Sequence, residues 1–330
     1  MKARYDPKQP TPERPSPCVL EEFVADPRTA RHWPTAPRLD LSTSRVGLTD
    51  ASCWLRWEKE LDRQEDGVLL ENKNAVIYGG GGSVGGAVAR AFAREGAKVF
   101  LVGRHLATLD KVADEVTAAG GVAETARVDA LDEEAVDEHA DAVAEKGGGI
   151  DVSFNAISHG DVHGTPLVQM PFEDFAQPIM TAMRAQFLTA RAAARHMVKR
   201  GSGVIMAITA TTARMTIPNV GGTGVTFDAI EGLCRQWACE LGPLGIRVVW
   251  LQTTGLPEAI DDSGNLFPDY GTGKAMTREE IIDWMQEKTM LNRLTSLAEV
   301  GSVAAFMASD QASAMTAVAA NITCGSVPTR

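Results

Sequence analysis

The stretch that decides the fold is residues 75–95, which read AVIYGGGGSVGGAVARAFARE. Four residues at 75–78 have the length and composition of a buried strand, and the alanine-rich run after the glycines is typical of a helix. Glycines let the backbone approach a pyrophosphate closely, and the free N–H groups at the start of a helix stabilise its charge. This strand, turn and helix therefore predict a dinucleotide-binding site, with Gly79 and Gly85 in the turn.

On both sides of this unit, short apolar runs alternate with stretches of helical periodicity. Such alternation, with nearly all-apolar strands, predicts an α/β fold with a Rossmann-type, doubly wound parallel sheet in a single domain of residues 73–330. The predicted strands are 75–78, 98–102, 126–128, 152–155, 204–208 and 247–251. The predicted helices are 86–95, 106–119, 133–145, 172–199 and 227–241.

Residues 1–72 have a different character and are predicted to be an N-terminal extension. Eight of the 16 prolines lie within residues 1–40, and proline removes backbone donors and blocks helices. A short amphipathic helix follows, with Trp54, Trp57 and Leu61 on one face. We expect this face to pack on the domain or on a neighbouring subunit.

Composition excludes several classes of protein. With 330 residues, 44% hydrophobic and 23% charged, the chain can bury a large core, and the net charge of −11 argues against a nucleic-acid partner. No apolar run reaches the roughly 20 residues of a membrane span, and residues 1–15 lack a signal-peptide core. We therefore expect a cytoplasmic protein without membrane contact. The cysteines have no metal-ligand spacing and predict neither a disulfide framework nor a metal site; they are Cys18, Cys53, Cys234, Cys239 and Cys324.

From about residue 73 to residue 326, the chain resembles the short-chain dehydrogenase/reductases. The turn from Gly79 to Gly85 stands where the family has TGxxxGxG, and residues 128–130 resemble the segment that borders the adenine. Residues 151–158 resemble the family's DVLVNNAG strand, with only its first asparagine retained. Farther on, residues 232–249 resemble the family's fifth helix and sixth strand, and residues 294–325 resemble its last helix and last strand. The resemblance implies a cofactor site formed by Gly79, Ser83, Val84, Gly85, Asp129, Ala130, Asn155 and Ala156.

The end of the second predicted strand bears on the choice of nucleotide. Residues 101–105 read LVGRH and lack the acidic residue that would accept hydrogen bonds from an unphosphorylated ribose. Arg104 instead offers a guanidinium suited to a 2′-phosphate. The sequence therefore favours NADP(H) over NAD(H), with Arg104 as a further cofactor residue.

The catalytic side chains that the resemblance implies are missing. Counting along the matched motifs puts Thr223 at the tyrosine position, Phe227 at the lysine position, Ala210 at the serine position and Ala182 at the asparagine position. The chain has three tyrosines in all, and no lysine lies between residues 199 and 274. Tyr270 and Lys274 have the family's spacing, but the glycines between them predict a loop, so we do not expect them to act as the pair.

Proton donors must then come from other residues. The loop after the fourth strand contains His159, Asp161 and His163 at the edge of the sheet where such folds bind ligands. The candidate catalytic residues are His159, Thr209 and Thr223, with His163 ranked below His159.

Three functions fit these observations. The first is a divergent NADP(H)-dependent oxidoreductase acting on a small carbonyl or enoyl compound. The second is a redox-inactive subunit that partners an active relative, and the third is a non-redox catalyst such as a cyclase, dehydratase or isomerase. Residues 172–199 and 227–241 match helices that pair across subunits in the family, so we expect a homodimer or homotetramer, with a hetero-oligomer as the alternative.

Overall fold

The computed structural model describes residues 68–328, and the predicted arm and amphipathic helix lie outside them. Seven strands form one parallel sheet in the order β3-β2-β1-β4-β5-β6-β7, with helices on both faces, which confirms the Rossmann-type fold. The strands are β1 (Asn74–Tyr78), β2 (Lys98–Gly103), β3 (Val122–Arg127), β4 (Val152–Asn155), β5 (Gly203–Ala210), β6 (Ile246–Thr253) and β7 (Val318–Ile322). The helices are α1 (Ser83–Arg94), α2 (Leu106–Ala118), α3 (Glu133–Gly147), α4 (Phe172–Arg200), α5 (Thr223–Leu241), α6 (Arg278–Gln286) and α7 (Leu297–Ala308).

The central strands are apolar throughout because both of their faces are buried. In β1, Val76 and Tyr78 join the core under α3, α4 and α5, while Ala75 and Ile77 join the core under α1, α2 and α7. Alternate side chains of a strand point to opposite faces, so a sheet covered on both sides needs apolar residues at every position.

Strand β3 was predicted wrongly, at 126–128 instead of Val122–Arg127. The observed strand reads VAETAR and lies at the edge of the sheet, where it pairs only with β2. Its Glu124 forms ion pairs with Lys98 and Lys146. An edge strand that is only half covered has no continuous apolar run, and the hydrophobic pattern therefore missed its first four residues.

Helix α5 begins at Thr223, four residues before the predicted start at residue 227. Thr223, Gly224 and Thr226 are weak helix formers, so the sequence pattern favoured a loop here. Packing overrides that preference: a Cβ on Gly224 would lie 2.9 Å from the Thr212 carbonyl oxygen, which requires glycine for the close approach of the helix.

The order of the strands creates a crevice at one edge of the sheet. The chain moves from β1 outward to β2 and β3, then returns to place β4 on the other side of β1. Ligands of such sheets bind at this reversal, outside the carboxyl ends of the strands. The turn after β1 and the loop after β4 both open into this crevice. No helix in residues 68–328 is long and apolar enough to cross a membrane.

Candidate active site

The glycine-rich turn is shaped for close approach by a ligand. Gly79 has φ +77°, and a Cβ there would lie 2.6 Å from the carbonyl oxygen of Ala156. A Cβ on Gly85 would collide with the Gly79 backbone. Helix α1 begins at Ser83 after Gly82, and no side chain caps its first N–H groups. The turn thus presents unpaired backbone donors at a helix start, which is the arrangement that binds a pyrophosphate.

A cavity of about 340 Å³ lies beside this turn. Of the predicted cofactor residues, Gly79, Arg104, Asp129 and Ala130 line it, and Ser83, Val84, Gly85, Asn155 and Ala156 do not. The cavity extends from the ends of β1 and β2 to the loop after β4. Its other lining residues are Tyr78, Val102, Gly103, Val128, Leu131, Ile157, Ser158, His159, Gly160, Gln177 and Thr181.

Asn155 is buried beneath the cavity and holds the backbone around it. Its side-chain nitrogen donates to the Thr189 hydroxyl at 3.0 Å, and its side-chain oxygen accepts the Ile157 N–H at 3.1 Å. These bonds fix the first residues of the loop after β4. The structure therefore gives Asn155 a supporting position, one layer below the surface that a ligand would touch.

The rim of the cavity at the end of β2 is cationic. Arg104 follows β2, and Arg127 at the end of β3 lies opposite Gly103 in the sheet register. His105 precedes the first residue of α2. Within residues 68–328, neither arginine forms an ion pair with an acidic side chain. The Arg104 guanidinium, which lines the cavity, is thus available to an anionic ligand there.

The structure brings α5 against the loop after β4 at two successive turns of the helix. The His159 ring contacts the Phe227 ring edge to face, with centroids 5.8 Å apart. One turn earlier, Nε2 of His163 lies 2.8 Å from Oγ1 of Thr223. Residues four apart share one face of a helix. His159 also lines the cavity and so connects this face of α5 to it, although no residue of α5 lines the cavity itself.

Tyr270 also belongs to this group of side chains between α5 and the loop after β4, although the sequence predicted no catalytic role for it. Its hydroxyl lies 3.0 Å from Nδ1 of His163, and its ring stacks on Trp284 with centroids 6.4 Å apart. The tyrosine does lie in a loop, as its glycine neighbours predict, and it is not paired with Lys274, which binds Glu280. No spacing rule in the sequence relates residue 163 to residue 270, so only the fold reveals the contact.

Three loops are tied together to hold Tyr270 in place. The Asp269 carboxylate accepts N–H bonds from residues 271–273, which fold the loop around it. The Asn219 side chain donates to the Asp269 carbonyl oxygen at 2.7 Å, and the Asn219 carbonyl accepts the Gly164 N–H at 2.7 Å. The loop after β4, the loop before α5 and the loop carrying Tyr270 thus form one hydrogen-bonded unit.

Burial sets the charge of the histidines. Desolvation lowers the pKa of His159 and of His163 below the usual value of 6.5, against an opposing effect of the Asp161 charge. Burial also raises the pKa of Tyr270 above its ordinary 10.0. At neutral pH both imidazoles are therefore uncharged and Tyr270 is protonated.

The other sequence candidates lie apart from this group. Thr209 is fully buried, and its hydroxyl contacts a carboxylate oxygen of Glu231 at 3.3 Å and the Leu251 carbonyl at 3.4 Å. Glu231 is itself buried and paired with Arg214 at 2.6 Å. Thr209 therefore contacts the buried carboxylate of this ion pair and does not line the cavity. Ala182 is buried in α4, and residues 68–328 contain no cluster of three or more His, Cys, Asp or Glu side chains suited to a metal ion.

Comparison with known proteins shows that this chain is similar to oxidoreductases. A protein-family model described as enoyl-(acyl carrier protein) reductase matches residues 80–326. Gluconate 5-dehydrogenase from Gluconobacter oxydans is 29% identical over 240 residues, covering 73% of this chain and 89% of that protein. 7α-Hydroxysteroid dehydrogenase from Escherichia coli is 28% identical over 249 residues, covering 75% of this chain and 91% of that protein.

Solved structures of dehydrogenases and reductases also resemble this chain. A short-chain type dehydrogenase/reductase from Mycobacterium marinum superposes with a TM-score of 0.68 at 29% identity, over 80% of this chain and 99% of that one. A 7α-hydroxysteroid dehydrogenase complexed with NADH and 7-oxo glycochenodeoxycholic acid superposes with a TM-score of 0.67 at 26% identity, over 79% of this chain and 96% of that one.

Proposed function

Because the chain belongs to the short-chain dehydrogenase/reductase family, we propose that it is an NADP(H)-dependent oxidoreductase that interconverts a small carbonyl compound and its alcohol. The observation that carries the proposal is the cavity, which extends from the glycine turn to the titratable side chain of His159. The relatives named above are dehydrogenases of a sugar acid and a hydroxysteroid, and they favour a hydroxyl or carbonyl substrate over an enoyl one.

The residues of the crevice fit a dinucleotide. A side chain at Gly79 or Gly85 would fill the space that the turn leaves open, and the uncapped start of α1 would receive the pyrophosphate. Asp129 and Ala130 would border the adenine. When bound, the nicotinamide supplies or accepts the hydride.

The preference for NADP(H) rests on charge at the rim. A 2′-phosphate carries negative charge and accepts several hydrogen bonds, which suits Arg104 and the neighbouring Arg127. The 7α-hydroxysteroid dehydrogenase structure contains NADH, so family membership by itself does not decide between the two nucleotides. The absence of a carboxylate at the end of β2 is the sequence feature that favours the phosphorylated one.

A second candidate function is a redox-inactive subunit that binds the nucleotide. Ala182, Ala210, Thr223 and Phe227 occupy the positions where the family resemblance implies asparagine, serine, tyrosine and lysine. Phe227 packs against His159 and leaves no charge at the lysine position. This substitution favours a binding role if no other group supplies the proton.

We also propose that the protein is a homodimer or larger homo-oligomer through α4 and α5. Phe187 of α4 is 43% exposed and lies 5.6 Å from the ring of Trp237 on α5, centroid to centroid. Met180 and Val198 extend this apolar face along α4 and are also exposed. Contiguous apolar surface of this kind marks an interaction site.

Binding and turnover together test the function. Purified protein is titrated with NADPH and NADH by nicotinamide fluorescence, and then assayed with D-gluconate, a 7α-hydroxy bile acid and the corresponding ketones. Binding with turnover supports the oxidoreductase, and binding alone supports the inactive subunit. Failure to bind either nucleotide would overturn both and leave a non-redox catalyst.

A further inference from the structure

A chain of hydrogen bonds joins three side chains that come from three separate segments. Thr223 begins α5, His163 lies in the loop after β4, and Tyr270 lies in the loop before α6. The distances are 2.8 Å from Thr223 Oγ1 to His163 Nε2 and 3.0 Å from His163 Nδ1 to the Tyr270 oxygen. The two ring nitrogens of one imidazole are therefore both engaged, each by a hydroxyl group.

This chain lies near the end of the cavity formed by the loop after β4, although none of its three members is among the residues that line the cavity. His159 contacts both the cavity and Phe227, and Thr223 lies one helical turn from Phe227 on the same face. Thr223 is buried, so its hydroxyl meets the loop after β4 instead of bulk water. Tyr270 is only half-buried and lies at the solvent side of the chain.

We propose that the Thr223 hydroxyl exchanges the proton with the substrate oxygen, and that His163 and Tyr270 are positioning residues that hold this proton and connect it to solvent. The inference rests on the proposed oxidoreductase function, because it supplies the proton step of that reaction. It assigns the step to Thr223, which occupies the tyrosine position, and to His163 and Tyr270, which come from other parts of the chain.

The atoms balance in both directions. With a nicotinamide bound to accept the hydride from the substrate carbon, oxidation would pass the proton of the substrate hydroxyl to Thr223 Oγ1. The original Thr223 proton moves to Nε2 of His163, while Nδ1–H remains donated to the Tyr270 oxygen. In reduction, the imidazolium of His163 returns its proton through Thr223 to the substrate oxygen as the hydride arrives at the carbon.

His163 is the titrating member, since a threonine hydroxyl alone is far too weak an acid or base. The groups around the imidazole are Asp161 on its own loop, Tyr270 on the facing loop and the uncharged Thr223 on α5. Asp269 lies next to Tyr270, but its carboxylate is occupied by backbone N–H groups. Desolvation lowers the pKa of His163, opposed by the Asp161 charge, so the neutral imidazole is ready to accept a proton at pH 7.

This assignment fixes the pH dependence. Oxidation requires the neutral imidazole, so its rate should rise with pH through a pKa below 6.5 and then level off. Reduction requires the imidazolium, so its rate should fall as pH rises through the same pKa. A merely structural role of His163 would produce neither inflection.

The test compares three conservative variants with a control. His163→Gln removes the titrating group, Thr223→Val keeps the shape of the side chain without the hydroxyl, and Tyr270→Phe keeps the stack on Trp284. His139→Gln is the matched control, because His139 is another part-buried histidine with a lowered pKa, but it lies on α3 away from these loops.

We expect kcat for oxidation of the responding probe alcohol to fall about 10²–10⁴-fold in His163→Gln and Thr223→Val. Tyr270→Phe should lose about tenfold, the size expected for one hydrogen bond. All three should bind NADPH as the unaltered protein does, and His139→Gln should keep both rate and pH profile. The inflection below pH 6.5 should disappear in His163→Gln.

A second readout does not depend on activity. Imidazole resonances of labelled histidine, assigned by their loss in His163→Gln, report the pKa of His163 directly. That pKa should move in Thr223→Val and in Tyr270→Phe and stay unchanged in His139→Gln. An unchanged pKa in both hydroxyl variants would show that the hydrogen-bonded chain is absent and would overturn the proposal.

The remaining outcomes distinguish failure of the proton relay through Thr223, His163 and Tyr270 from failure of the proposed oxidoreductase function. Turnover with an unchanged pH profile in His163→Gln, or loss of the inflection in His159→Gln instead, would overturn the relay and leave the oxidoreductase intact. Absence of turnover with every probe would overturn the oxidoreductase and the relay together. Thermal melting of each variant identifies any loss that comes from unfolding.

Discussion

Gly79→Ala is the sharpest test of the phosphate turn. Gly79 has φ +77°, where a residue with a Cβ is strained, and the new Cβ would lie 2.6 Å from the Ala156 carbonyl oxygen and 2.9 Å from its carbon. Gly148 is a matched control, since it has φ +74° at the end of α3 and no atom lies within 4 Å of its Cβ position. Both substitutions therefore introduce the same backbone strain, and only Gly79→Ala introduces a collision.

The backbone strain and the collision of the new Cβ differ in size and in consequence. Left-handed backbone costs a non-glycine residue about 1–2 kcal/mol, and this should lower the stability of both variants equally. A carbon contact is comfortable at about 3.5–4.0 Å, so the collision requires the turn or Ala156 to move by about 1 Å. Overpacking of this kind costs about 1–3 kcal/mol. If the turn moves, that cost appears as about 5- to 150-fold weaker NADPH binding.

Nicotinamide fluorescence measures the dissociation constant for NADPH, and urea denaturation measures the free energy of unfolding. We expect Gly148→Ala to bind NADPH within about twofold of the unaltered protein, although it loses stability by the amount given for backbone strain. Gly79→Ala should lose both stability and affinity. Equal NADPH affinity in the two variants, with both folded, would refute the assignment of the pyrophosphate to this turn.

Further predictions concern charge, assembly and pH. Arg104→Glu should weaken NADPH binding far more than NADH binding in the same fluorescence titration, and equal changes would contradict the 2′-phosphate assignment. Phe187→Asp should shift the mass measured by light scattering towards the monomer; a monomeric mass of the unaltered protein at micromolar concentration would contradict the proposed interface. Burial lowers the pKa of His139, His159 and His163. The unfolded chain therefore takes up protons first as the pH falls through 6.5, and urea denaturation should show a smaller free energy of unfolding at pH 5.5 than at 7.5, with a smaller difference in His139→Gln.

The central strands of the sheet could be predicted from the sequence because burial constrains every position in them. Both faces are buried in five strands, which are β1, β2, β4, β5 and β6. Burial on both faces requires apolar residues at successive positions, so most residues of these strands are apolar. The same argument fails at the edge, where β3 is covered on one side and contains Glu124 and Thr125. It also fails at the start of α5, where Gly224 lies close to the Thr212 carbonyl in a helical turn that local propensity does not favour.

The site was predictable to the extent that it consists of backbone. The turn at Gly79 is encoded in consecutive residues, and its glycines are required by the backbone conformation and by close contacts within the turn. The sequence does not show that the Thr209 side chain points towards α5, where its hydroxyl contacts Glu231. Neighbouring residues of a strand face opposite sides of the sheet. Thr209 therefore does not face the same side as Ala210, the serine position of the family, and its place next to Ala210 on β5 argues against the same role.

The case of Tyr270 shows why side-chain chemistry is harder to infer than backbone chemistry. Its spacing to Lys274 suggested a helical pair, and the glycines between them correctly excluded one. What spacing cannot express is that Asp269 folds this loop around its carboxylate while Asn219 ties it to the loop before α5. Those bonds bring the phenol to His163, which in turn reaches Thr223. The proposed proton relay comes from two loops and the start of α5 and leaves no motif, because each contact joins residues that are dozens of positions apart.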